Sequence, residues 1–322
     1  LAETHSPSTD LSAVYAHHSA ALSALVNNDQ RPIRYGERAC KIANQTKSLI
    51  AEANALTFTS IMYLRYSHFH KAIACAEKAV EIIRRIGDPW NMHSAMFQLA
   101  YAHYCLGRLE EAEGVAAELY RSAVRAKDEM ASRYALDVWS KAAQGNIPHE
   151  HITAHLHAPT SDVQATNELY QALGLRMLFE KNYAEAVKAL HLAVDEPRQK
   201  NYVNQFTAPA CAWHLVALRR CAEELKGNDD LAFCAALAQA KSEIAYAKRI
   251  TRRFRNSLAQ FQREAGLIAL LDGQKQKAER LLKRSIDTAA KMGMPLELEL
   301  SNFEHARCFT SKHGMPAPRL IG

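Results

Sequence analysis

The densest titratable stretch of the chain is His149-Glu150-His151-Ile152-Thr153-Ala154-His155-Leu156-His157. On a helix, His151 and His155 stand one turn apart, a spacing that suits two imidazole ligands of a zinc ion. No third and fourth ligand follow at a convincing spacing, so no metal is expected. The simpler reading is a short polar helix with its imidazoles toward solvent. The pairs His17-His18 and His68/His70 fall at helix ends and turns and point less to chemistry. A second cluster is basic: Lys248, Arg249, Arg252, Arg253 and Arg255. It could meet nucleic-acid phosphates or an acidic partner, or simply be a solvated turn between two helices.

Motifs that would make the chain an enzyme are missing. A nucleotide-hydrolysing site needs a Gly-rich loop followed by Lys and Ser or Thr, and the sequence has none. HExxH, GxSxG and the HxE…CxxC pattern are also missing. The segment is therefore read as non-catalytic and without cofactors. Two alternatives stay open: a metal-dependent enzyme using His149–His157, and a nucleic-acid binder using residues 248–255.

The elements that must position these residues are helical. Of 322 residues, 48% are hydrophobic but only 8% aromatic, with 12 Gly and 10 Pro. So few glycines disfavour sandwiches, barrels and dinucleotide folds, whose tight turns need positive φ. Ala and Leu fill the apolar share, and both favour helix. The formal charge of +6 is mild for this size. Seven scattered cysteines, with no CxxC pair, read as small core residues in a reducing cytoplasm. Apolar runs such as 215–218 and 266–271 are too short to span a bilayer. The polar start, Leu1–Asp10, has no signal core, and a first residue other than Met suggests a segment of a longer protein, or a processed one.

Four segments superimpose: Tyr66–Ala72, Leu106–Ala112, Glu180–Ala186 and Asp272–Ala278. Each is a polar turn ending on an Ala that opens a helix. Twelve residues before that Ala stand Ser60, Ala100, Gly174 and Gly266, and seven after it stand Ala79, Leu119, Ala193 and Ser285. Small residues at these offsets let two helices of a hairpin approach closely. Ala72 and Ala112 are 40 residues apart, and Ala112 and Ala186 are 74 apart, close to two repeats. A degenerate unit falls between them, with a helix at 131–143, a turn at 145–148 and a short helix near 149–157. Helices are also predicted at 11–26, 34–49, 202–225, 231–250, 253–271 and 274–292, with joints at 148–162, 195–201 and 227–230.

This layout resembles the tetratricopeptide repeat (TPR). The runs Trp139–Pro148, Ala289–Leu300 and Asn302–Arg307 resemble the long repeat arrays of bacterial STAND-class signalling ATPases and of maltose-regulon-activator-like regulators. The likeness spans roughly residues 51–307. It implies an all-α, right-handed α-α superhelix of about eight hairpins. These would form a single solenoid over residues 1–322, with an N-terminal hairpin at 1–50, regular repeats at 51–200, less regular ones at 201–309 and a tail at 310–322. It further implies a scaffold in a larger regulator, with protein, peptide or neighbouring domains as partners, a small effector as a further ligand, and nucleic acid and membrane not expected.

In such a repeat, residues eleven and eight before the marker Ala face the concave side. They are Ile61, Tyr101, Leu175 and Leu267, and Leu64, Tyr104, Leu178 and Leu270. The surface lacks the Asn of a carboxylate clamp and suits a neighbouring helix or an apolar peptide. The same residues could instead pack within the superhelix itself. Trp90, Trp139 and Trp213 are read as core.

Overall fold

A computed structural model describes residues 7–25 and 29–309, with no strand among them. Helices come in antiparallel pairs: α1 (Thr9–Leu25) with α2 (Arg31–Thr46), α3 (Leu49–Arg65) with α4 (Phe69–Ile86), and α5 (Pro89–Cys105) with α6 (Leu109–Ala126). Next come α7 (Glu129–Ala142) with the short α8 (His149–Leu156), and α9 (Val163–Phe179) with α10 (Tyr183–Gln199). Then follow α11 (Pro209–Leu225) with α12 (Asp230–Arg253), and α13 (Leu258–Leu271) with α14 (Lys275–Met292). A single helix, α15 (Pro295–Phe309), ends the described chain. The array is thus seven hairpins and a closing helix, against about eight hairpins expected.

The repeat frame is visible in burial. The marker residues Ala72, Ala112, Ala186 and Ala278 are fully buried, as are Ala79, Leu119, Ala193 and Ser285 seven places later. At the α9/α10 crossing, a Cβ on Gly174 would lie 2.5 Å from Leu190 Cγ, so only glycine permits that approach. The pairs are separated by a second device. Gly87, Gly293, Lys47 and Lys127 take left-handed conformations at helix C-termini. Ser48, Asp88 and Asp128 follow directly and cap the next helix by accepting from its first-turn N–H groups.

The helix expected at 34–49 runs instead from Arg31 to Thr46, and three further boundaries differ from expectation. The 202–225 helix begins only at Pro209, because the Asn204 side chain accepts the N–H groups of Phe206 and Thr207 and holds a turn. The 253–271 helix is broken at extended Phe254, which is followed by a 3-10 turn, Arg255–Ser257. The joint expected at 195–201 lies later, since α10 continues through Pro197 to Gln199.

Those breaks matter because they let the superhelix close on its own interior. Phe206 sits 4.8 Å from the Phe97 ring and 5.4 Å from Tyr101, centroid to centroid. Asn256 donates to the Leu64 carbonyl at 3.0 Å and contacts Ser67 Oγ at 2.9 Å, bridging residues about 190 positions apart. Leu296 of α15 packs on Gly107. The main apolar core accordingly joins residues of α2–α9 with Phe206, Ala259, Ala289 and Met294.

Candidate functional site

Of the positions expected on the concave side, Tyr101 and Tyr104 lie against the chain's own C-terminal repeats. Leu64 and Leu175 are fully buried, Tyr101 is 2% exposed, and Ile61 and Tyr104 are partly buried. Burial pushes the phenols of Tyr101 and Tyr104 well above their ordinary range. What remains open is a cleft with room for about 50 Å³, where α5, α9, α10, α11, α13 and α15 converge. Tyr104, Leu178 and Trp213 form its apolar wall, and Arg220, Arg263 and Glu297 also line it. A smaller space of about 20 Å³ adjoins it behind Tyr101, Tyr104 and Trp213. Gln260 lines that space, and its amide nitrogen has no hydrogen-bond partner. A buried donor without an acceptor costs stability, and it is suited to receive a backbone carbonyl.

The C-terminal wall of this cleft is held by ions. Arg219 Nε donates to Glu264 at 2.6 Å, Arg263 Nη1 donates to the other oxygen of Glu264 at 2.5 Å, and Arg263 reaches Glu297 at 3.3 Å. Burial opposes the Glu264 charge, but the two guanidiniums outweigh it and hold the carboxyl below its usual range. Deeper inside, α7 and α9 carry a different cluster. Lys141 donates to Asp137 at 2.6 Å with both side chains buried. Glu168, also buried, makes no hydrogen bond of normal geometry through either oxygen. Burial raises its pKa well above normal, and the Asp137 charge raises it further.

The histidine cluster is structural. His155 is buried, not turned to solvent as expected: Nδ1 meets Glu129 at 2.8 Å and Nε2 faces the Tyr120 hydroxyl at 3.3 Å. His151 packs on the Tyr120 ring at 4.6 Å. Both nitrogens of His155 are engaged, and no group of three metal-ligating side chains forms among the described residues. Ser122, His93 and Asp128 reproduce the bond order of a nucleophilic triad, at 3.0 and 2.8 Å. Ser122 lies inside α6, where neighbouring N–H groups are spent on the helix, and Asp128 caps α7. The trio fastens a helix start.

The basic run is divided. Lys248, Arg249 and Arg252 stand exposed on α12, with Arg249 stacked 5.1 Å from the Tyr246 ring. Arg253 and Arg255 instead line a separate cleft. Trp213 and Trp139 are largely buried, but Trp90 is 56% exposed, contrary to its reading as core. It follows Pro89 at the start of α5, at the turn edge. Ile50 and Met130 occupy the same register in the preceding and following repeats and are also exposed.

No family model matches the chain, and no curated protein matches it. Among solved structures, the crystal structure of a Rap protein complexed with Competence and Sporulation Factor is similar over 93% of this chain and 94% of that one. The TM-score is 0.53 and the sequence identity 13%. The chain is a TPR-like helical solenoid. Among the described residues, no helix is long and apolar enough to cross a membrane.

Proposed function

We propose that this chain is a non-catalytic binding scaffold that receives an apolar segment of a protein or peptide in its inner cleft. The observation that carries this reading is the convergence of Tyr104, Leu178 and Trp213 beside the unpartnered Gln260 amide. Aromatic walls supply anchor pockets, and a free buried donor suits a peptide carbonyl. The similar solved structure is itself a complex, with Competence and Sporulation Factor, which supports a ligand-binding reading of the fold.

The present gap holds only a few waters, so an entering segment must move a wall. The element suited to move is α15, which buries only Leu300, Ser301 and Glu304. Displacing it would pass the binding event toward whatever follows the array. On the resemblance of residues 139–148 and 289–307, that output belongs to a larger bacterial regulator in a reducing cytoplasm. A neighbouring domain is then as natural an occupant as a separate peptide.

Selection from a displayed peptide library on the immobilised chain tests this. Enriched peptides are expected to carry apolar or aromatic anchors and to bind Tyr104→Ala at least tenfold more weakly, with the variant's helical circular dichroism retained. Equal binding to wild type and variant removes the cleft reading.

A further inference from the structure

We infer that a second cleft, at the seam where the first repeats meet the last, is a binding site for a small phosphate-bearing ligand. It lies between the α3–α4 turn, the end of α12 with its 3-10 turn, and the end of α14, and it offers about 430 Å³. Arg65, His68, Arg253, Arg255 and Lys291 line it, and no carboxylate does.

Arg65 is the decisive residue. It is 7% exposed, its guanidinium lies 4.7 Å over the Phe254 ring, and it forms no ion pair among the described residues. Every other buried arginine among the described residues has a glutamate: Arg133 has Glu129, Arg219 has Glu223 and Glu264, and Arg263 has Glu264 and Glu297. A buried cation without a counter-charge is costly, and here a ligand anion would supply the charge. Arg255 and Lys291 likewise form no ion pair among the described residues. The Tyr66 hydroxyl, shielded from solvent on the same wall beside Arg65, makes no hydrogen bond of normal geometry. His68 begins α4 without a side-chain cap, so the positive end of that helix borders the cleft.

Ser67 has φ +63°, the left-handed turn conformation shared at the equivalent positions by Gly107, Lys181 and Gly273. Its hydroxyl contacts Asn256, fixing the two walls against each other. Forked guanidiniums, an ammonium and a phenol match the oxygens of a phosphoryl group. The volume suits a mononucleotide-sized molecule. A nucleic-acid backbone fits less well, because the remaining basic residues, Lys248, Arg249 and Arg252, lie outside the cleft.

The test is calorimetric titration of the chain with pyrophosphate at ionic strength fixed by potassium chloride. Saturable one-to-one binding is expected. The double variant Arg255→Gln/Lys291→Gln should lose affinity about tenfold or more. Without pyrophosphate that variant should melt no lower than wild type, because no ion pair has been removed. Lack of saturable binding, unchanged affinity in the variant, or a lower melting point without the anion would each overturn the site. So would duplex nucleic acid that displaces pyrophosphate and requires Lys248, Arg249 and Arg252.

Discussion

Glu168 on α9 and Glu264 on α13 are both buried to 0% exposure, yet the middle and the last repeats treat them oppositely. Glu264 is clasped by Arg219 and Arg263, and its carboxyl is held below the ordinary range. Glu168 has no hydrogen-bond partner of its own and shares its surroundings with the Asp137–Lys141 pair, so its carboxyl is held well above that range. The middle repeats leave a buried acid without an ion-pair partner of its own, so that burial favours its neutral form. The last repeats meet it with opposite charge. The final repeats are therefore tied to the cleft by charge pairs, which can be remade around an incoming segment more readily than interlocked apolar side chains.

The largest break in this comparison comes from Glu264→Gln. It removes the counter-charge between two buried guanidiniums, and a loss of about 3 kcal/mol or more is expected in chemical denaturation. Glu168→Gln should stay within about 1 kcal/mol of wild type, or gain, because a neutral acid becomes a neutral amide. Equal losses would show that both glutamates are charged.

Gly174→Ala comes next. Its Cβ would collide with Leu190, and overpacking of this kind costs about 1–3 kcal/mol. The corresponding Gly266→Ala meets Leu282 at 3.1 Å and should cost less, which thermal melts of the pair would rank.

Acidity separates the two regions by sign. The Glu264 contribution is present above the ordinary carboxyl value of 4.5 and is lost as pH falls through its lower folded value. For Glu168 the folded value is raised, so below 4.5 the group is neutral in both states and contributes nothing. As pH climbs past 4.5 the unfolded chain ionises first, and wild type loses stability relative to Glu168→Gln, by at most about 1.4 kcal/mol per pH unit. Denaturation of wild type and variant from pH 4 to 8 checks that widening gap. A gap that narrows with pH would contradict the raised value.

The smallest effect is at the seam. Ser67→Gly relieves a left-handed serine but gives up the contact to Asn256, so the two terms of about 1 kcal/mol each should nearly cancel. A large loss would mean the contact matters more than the strain.

The hairpins were readable in the sequence because each depends on residues within about forty positions: the marker alanines, the polar turns before them and the small residues opposite them. Closure was not. Asn256 reaches Leu64 across 192 residues, and only the accumulated rotation of intervening repeats brings them together. The long-range ion pairs of the cleft were hidden similarly, since Glu264 lies 45 residues from Arg219 and Glu297 lies 34 from Arg263. His155 and Trp90 were misjudged because helical period alone does not show where a neighbouring repeat ends. The basic run marked Arg253 and Arg255, while Arg65, isolated in sequence, carried no signal until its burial without a carboxylate was seen.

The central claim is that a partner segment enters the inner cleft by displacing α15. Gly107→Cys with Leu296→Cys tests it directly, because a Cβ on Gly107 would lie 3.0 Å from that of Leu296, and a shift of under about 1 Å to disulfide spacing would let an oxidised pair pin α15 shut. Peptides selected on the wild-type chain should bind the reduced variant and fail to bind the oxidised one. Equal binding to both forms would contradict the account.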